Sequence, residues 1–228
     1  MYSRSKFRNL KKLWHYSSME IDHVSYVASH DQISDVINRI GFLIGSPFID
    51  GGIHPRFGTR NFTAPLRNNQ YIEVVCPIDH PATDQTNFGL AVKQKSLNGG
   101  GWFAWVMRTP DIEEIEKRIE RKAIAGDRIK PDGSKLKWKQ LGVKELSKNG
   151  HFPFFVQWLS ENHPSKDLEA KTSINSINLS GSRNELKNWI NSDISNFKQI
   201  KFLEKGISTE SEIISVTFES NGRFIEID

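Results

Sequence analysis

The chain is short of several things that would place it quickly. Among 228 residues it has a single cysteine, Cys76, so no intramolecular disulfide framework and no four-cysteine zinc ribbon is available to it. No uninterrupted apolar run approaches the roughly 18 residues that cross a bilayer, and mean hydropathy is −0.51. There is no signal-peptide core, so a reducing, cytoplasmic setting is the expectation. No glycine-rich nucleotide loop, no Gly-x-Ser-x-Gly elbow and no His-Glu-x-x-His helix occurs. The body also lacks an excess of positive charge. The formal net charge is +4, with 31 Lys and Arg against 27 Asp and Glu. Arg4, Lys6, Arg8, Lys11 and Lys12 stand in the first 18 residues without one acid, leaving 26 basic against 27 acidic side chains beyond. Nucleic-acid binding would rest on that leader alone, and no nucleic-acid or membrane partner is expected of the body.

Residues 1–18 admit three readings: a disordered basic arm, a stretch upstream of a start at Met19, or a surface helix presenting Phe7, Leu10, Leu13 and Trp14. The chain after it has ample length for a packed core.

What is present is one pattern written three times. The first segment opens with strand-like Ile21–Ala28, then a Ser29/Gln32 capping box before Ile33, Val36, Ile37 and Ile40 at helical spacing, with Gly41 as the stop. Strands are expected from Phe42–Ser46, over Thr59–Leu66 and over Tyr71–Val75. The second runs from Trp102–Arg108 through a Thr109-Pro110 helix start and the stripe Ile112, Ile115 and Ile119 to strands near Ala123–Ile129, Leu136–Leu146 and Phe154–Leu159. The third repeats the order from Ile174–Leu179, with a Ser182/Glu185 capping box, Leu186, Trp189 and Ile190, then Phe197–Leu203, Ile213–Glu219 and Arg223–Ile227. The first two segments both close on His-Pro, at His80 and His163. The link 79–101, ending Asn98-Gly99-Gly100-Gly101, reads as a flexible loop.

Several residues stand out chemically. His23 lies in an alternating strand, where hydrogen bonding to Asp22 or to backbone is the plain reading. Glu73 lies between Ile72 and Val74, so its side chain points away from theirs, and a buried carboxylate needs a partner, a metal or a raised pKa. The stretch Gly51–Asn61 gathers His54, Arg56, Arg60 and Asn61, donors suited to an anionic or carbonyl ligand, although glycine and proline there also suit a plain turn. Trp102, Phe103 and Trp105 divide between core and cup lining. Cys76, without an adjacent histidine, reads as a buried, inert thiol.

Residues 21–160 resemble the glyoxalase-like domains of the vicinal oxygen chelate superfamily. The likeness is carried by Ile21-Asp22-His23-Val24, by the run from Gly51-Gly52-Ile53-His54-Pro55 to Gly58-Thr59-Arg60-Asn61, and by Tyr71-Ile72-Glu73-Val74. It implies an α+β fold of repeated βαβββ modules forming a curved mixed sheet, a cup with helices outside. The expected organisation is a leader over 1–18, two modules over 19–165 and a third βαβββ-like module over 173–228. The third is expected to pack against the cup or to pair with its copy in a homodimer.

The resemblance further implies an enzyme for a small oxygen-rich metabolite, of isomerase, lyase or dioxygenase type, using a divalent metal as Lewis acid. His23 and Glu73 would be ligands or catalytic groups, with His54, Arg56, Arg60, Asn61, Trp102 and Trp105 contacting substrate. The sequence departs from the family where the second half of a metal site belongs. Aligning helix starts puts Phe103 opposite His23, and counting back from the two His-Pro pairs puts Val156 or Gln157 opposite Glu73. His54, His151 or a third-segment residue would have to complete the ligand set. That departure favours the other reading, a non-enzymatic protein of the same fold that sequesters a small molecule.

Overall fold

The computed structural model describes residues 19–165, 169–203 and 210–228, so the expectations for the leader lie outside the described residues. The first module is β1 (Glu20–Val27), α1 (Ile33–Ile44), β2 (Ile49–His54), β3 (Thr59–Leu66) and β4 (Gln70–Pro77). Two helices follow, α2 (Pro81–Gln85) and α3 (Asn87–Leu97). The second module is β5 (Gly101–Arg108), α4 (Ile112–Ile119), β6 (Ile124–Ile129), β7 (Lys135–Leu141) and β8 (Phe154–Trp158). The third is β9 (Thr172–Leu179), α5 (Arg183–Ile190), β10 (Ile200–Phe202), β11 (Ile213–Ser220) and β12 (Arg223–Ile227).

The first two modules form one mixed sheet that curves until it closes, in the order β1-β4-β3-β2-β6-β7-β8-β5. In each, the opening strand lies parallel to the last: β1 on β4 and β5 on β8. The modules join where β1 meets β5 antiparallel and where β2 meets β6 through Ile53 and Ile129. At that second seam Gly52 has φ +97, and a Cβ on it would stand 1.8 Å from the Ile129 carbonyl oxygen. Only glycine lets these strands approach.

Strand alternation sorts the side chains into two cores. Ile72, Val74 and Cys76 of β4 face outward with Val24, Trp105 and Met107, under α1 and the third module. Val27, Val75, Phe103, Val106, Phe154 and Val156 belong to the core on the other side, with Phe88 of α3.

The third module repeats the order of elements but not their pairing. β9 is central, parallel to β10 and antiparallel to β11, and β12 pairs β11 at the edge. The run Phe224-Ile225-Glu226-Ile227, similar in sequence to Tyr71-Ile72-Glu73-Val74, therefore lies at a sheet edge and not beside an opening strand. This sheet packs on the outer face of the barrel, where Trp102 lies 6.2 Å from Phe218 and donates from Nε1 to the Ile227 carbonyl at 2.7 Å.

Several local expectations are corrected. Helix α1 runs through Gly41 to Ile44 and stops at Gly45, whose φ is +64. Residues 42–44 are thus helical, and the second strand starts at Ile49. Ser29 and Gln32 bond each other rather than capping the helix. Helix α4 is capped by Asp111, not Thr109, whereas Ser182 caps α5 as the pattern predicts. The link 79–101 is no loop: His80 caps α2, and Thr86 caps α3. Thr83 Oγ1 donates to the Gly58 carbonyl at 2.8 Å, tying α2 to the β2–β3 turn.

Candidate functional site

Inside the barrel is a cavity of about 30 Å³, room for about two waters. His23 of β1 and Glu73 of β4 line it together with His54, Asn61, Arg128 and Trp138. The parallel register pairs His23 with Tyr71 and Ser25 with Glu73, so one inward row on each strand supplies the polar groups. His23 stacks on Tyr71, ring centroids 4.3 Å apart.

The β1–β5 pairing slips between Ile21 and His23. Such bulges redirect side chains, and Asp22 at this one is wholly buried. Its Oδ1 accepts from His23 Nδ1 at 2.7 Å. Its Oδ2 accepts from Trp158 Nε1 and from His163 Nε2, each at 3.1 Å. Arg108 is a further cation, 3.8 Å away. Burial acts to raise the Asp22 pKa, but the bonds from His163 and His23 outweigh it and hold the carboxyl far below its ordinary value. An ionised Asp22 can only accept, which places the His23 proton on Nδ1 and leaves Nε2 bare toward the cavity.

Glu73 Oε2 lies 3.9 Å from His23 Nε2. That oxygen accepts from Ser25 Oγ at 2.6 Å, and Oε1 accepts from Asn61 Nδ2 at 2.6 Å. Burial favours the neutral acid, yet His23, His54 and these two bonds lower its pKa. Glu73 is a carboxylate with both oxygens engaged. Asn61 Oδ1 in turn accepts from Arg128 Nη1 at 3.2 Å. His54, bonded through Nδ1 to Thr59 Oγ1 at 2.9 Å, is pushed down to about 4 by burial, aided by Arg128 and His23. It is a neutral imidazole at pH 7.

Of the residues singled out in the sequence, His23, Glu73, His54 and Asn61 come together at this cavity. The other four do not. Arg56 bonds the Ala125 carbonyl at the exposed surface. Arg60 pairs with Asp50 and lies over Phe62. Trp102 and Trp105 face the third module, and Trp105 Nε1 donates to the His151 carbonyl. Their alternation along β5 is interrupted by a second register slip, between Ser25 and Tyr26, and both turn outward.

Sequence reasoning missed Arg128, Trp138 and Trp158, the role of Ser25, and His163. The His-Pro dipeptides looked like punctuation, yet His80 caps a helix while His163 reaches Asp22. Gly51, read for its turn, matters for its missing side chain. A Cβ there would stand 2.2 Å from Asn61 Oδ1 and 2.7 Å from Arg128 Nη1.

The donors do not fit a resident metal ion. His23 and Glu73 offer two, and His54, bonded through Nδ1 to Thr59, does not complete a group of three with them, where a catalytic ion such as zinc takes three protein ligands. From the second module Val156 lines the cavity and Phe103 packs on Phe88, while Gln157 points away to the Pro110 carbonyl. His151 lies against Gly181 and Phe152 beside the third module. Among the described residues no group of three His, Cys, Asp or Glu could hold a metal.

Residues 21–192 match the family model described as a glyoxalase-like domain. Among solved structures, a hypothetical protein from Staphylococcus aureus is similar with a TM-score of 0.55 at 18% identity, over 92% of this chain and 86% of that one. Methylmalonyl-CoA epimerase from Mycobacterium tuberculosis has a TM-score of 0.40 at 13% identity, over 60% of this chain and 85% of its own. No curated protein sequence gives a match. No helix among the described residues is long and apolar enough to cross a membrane.

Proposed function

Because the chain belongs to the glyoxalase-like domain family, we propose that it is an enzyme moving a proton on a small oxygen-rich metabolite, admitted to the barrel cavity as its lining side chains move apart, with His23 as the base. One observation carries this reading. His23 is held through Nδ1 by buried Asp22 at 2.7 Å, and its Nε2 is turned toward the cavity and Glu73.

The reaction class this suits is enolisation. A C–H bond beside a carbonyl breaks, the proton goes to His23 Nε2, and the electron pair moves through the new C=C bond onto the carbonyl oxygen. Asp22 and Glu73 flank the imidazolium that forms and stabilise its charge, while Asp22 fixes the tautomer. Return of the proton to either carbon completes an isomerisation or an epimerisation. Glu73 is the weaker base, since Ser25 and Asn61 already stabilise its anion. No step is routed through a metal.

A second reading, sequestration without chemistry, draws support from the apolar wall of Phe154, Val156 and Trp138 in the second module. Solvent-deuterium exchange separates the two. With pyruvate or butane-2,3-dione in D2O, wild type should accelerate loss of the methyl proton signal. The variant His23→Ala should lose about 100-fold or more of that rate. No acceleration above buffer, or an equal rate in His23→Ala, sinks the enzyme reading in favour of sequestration.

A further inference from the structure

Arg128 is buried to 3% exposure inside the barrel, and this charge is not used by the proton-transfer chemistry above. Among the described residues no carboxylate lies within ion-pair distance of it: Asp50 pairs with Arg60, and Glu73 is held by Ser25 and Asn61. Its Nη1 donates to Asn61 at 3.2 Å, and its Nε has no hydrogen-bond partner. A guanidinium has five N–H donors in a planar fork, and burying one without a counter-ion is strongly unfavourable.

The surroundings hold this cation in place. On β6, alternation turns Gly126 and Arg128 inward. Gly51 leaves room for Nη1 on one side, and at Gly126 a Cβ would stand 2.4 Å from the Trp138 ring. Asn61 stands between Arg128 and Glu73, accepting from the first and donating to the second. Glu73 and Asp50 thus act on the guanidinium only through space, without an ion pair. Arg128 lines the cavity that His23 also lines.

We propose that Arg128 is an anion anchor, and that the metabolite taken by this site is a small carboxylate. The carboxylate would take donors of the guanidinium fork, the geometry in which arginine binds carboxylates most strongly. The short carbon chain would lie against Phe154, Val156 and Trp138. This deepens the enzyme reading and rests on it for the reaction, though not for binding.

The test compares two probes of nearly equal shape, pyruvate and the neutral butane-2,3-dione, titrated into the full chain at constant ionic strength with calorimetric readout. Wild type should bind pyruvate at least about tenfold more tightly than the dione. Arg128→Gln should abolish the preference and Arg128→Lys should keep part of it. Asn61→Asp should abolish it as well, by supplying Arg128 with an internal partner. Circular dichroism identifies any variant that has failed to fold, and Arg128→Lys and Asn61→Asp serve if Arg128→Gln does.

Equal affinity of wild type for the two probes, or a preference kept in Arg128→Gln, would overturn the proposal. So would a preference unchanged in Asn61→Asp. The variant His23→Ala separates this proposal from the reaction, because it should keep the pyruvate preference while losing deuterium exchange. Arg128-dependent binding without exchange in wild type leaves the anchor standing and removes the enzyme reading. His23-dependent exchange of both probes at equal affinity does the reverse.

Discussion

Asp22 and His23 are neighbours in sequence, yet a slip in the β1–β5 register lets the carboxylate accept from its own neighbour's Nδ1 at 2.7 Å. A regular strand would send the two side chains to opposite faces. The slip makes adjacent residues an oriented pair, and His163 and Trp158 fix the second oxygen. Asp22→Asn tests the orientation directly. The amide can donate to Nδ1, which moves the imidazole proton to Nε2 and removes the free lone pair from the cavity. Exchange of the methyl protons of pyruvate should fall by on the order of 100- to 10,000-fold, with pyruvate affinity retained. An unchanged rate would show that Asp22 does not set the tautomer.

Acid should weaken the fold before the carboxylates titrate. His54 takes up a proton near pH 6.5 in the unfolded chain but only near pH 4 in the folded one, because burial disfavours its charge. The unfolded state therefore binds more protons between these values, and stability falls as pH drops through that window. The size is roughly 3 kcal/mol over the full span. His151, whose pKa burial also lowers, adds in the same sense. Asp22 and Glu73, held below their ordinary values, lose their contributions at lower pH. Urea melts from pH 7 to pH 4.5 should show a flatter slope in His54→Gln than in wild type, and an equal slope would remove His54 as the cause.

Two adjacent glycines should fail in different ways. A Cβ on Gly51 meets the side chains of Asn61 and Arg128, whereas one on Gly52 meets the Ile129 backbone at the β2–β6 seam. Gly51→Ala should lose the pyruvate preference while unfolding within about 2 kcal/mol of wild type, since side chains can shift. Gly52→Ala should be destabilised by more than that, because the backbone must move at positive φ. Thermal melts beside the titration decide it. Equal destabilisation of both variants would contradict the distinction.

How far the sequence discloses this arrangement depends on whether a residue's role is local. In Gln70–Pro77 successive side chains take opposite faces of the sheet, so Glu73, between Ile72 and Val74 of the outer core, points into the barrel. Strand β2 is different. Gly51-Gly52 reads as a turn, but both glycines lie within a strand whose irregular pairing answers to side chains and backbone far along the chain. Arg128 sits in Ile124–Ile129, a strand without hydrophobic alternation, and only closure of the barrel sets which way it faces. The pairing of β9 with β10 and β11 is likewise a long-range choice that element order does not encode.

Cys76 should be slow to react. The side chain is 1% exposed on the outward face of β4, and burial raises its thiol pKa to about 11. The thiolate is then scarce at pH 8, and reagent access requires opening of the sheet. A thiol-reactive disulfide reagent should label native protein at least about 100-fold more slowly than protein in denaturant. Rapid native labelling would place Cys76 nearer solvent than it stands.

Trp102 and Trp138 let the two aromatic sets be told apart. Trp102 is 5% exposed on the outer face, against Phe218 and bonded to the Ile227 carbonyl, so it ties the barrel to the third module. Trp138 lines the cavity, its ring edge-on to His54 at 5.5 Å and its Nε1 donating to Gln140 Oε1. Trp102→Ala should cost about 3–5 kcal/mol through lost packing and a cavity, while pyruvate affinity stays near the wild-type value in the folded fraction. Trp138→Phe keeps most of the volume and removes only the ring edge and its donor. It should cost less stability yet weaken pyruvate binding, because the wall against the carbon chain is remodelled. The reverse assignment, with affinity lost in Trp102→Ala and kept in Trp138→Phe, would put the ligand on the face toward the third module and empty the barrel of its role.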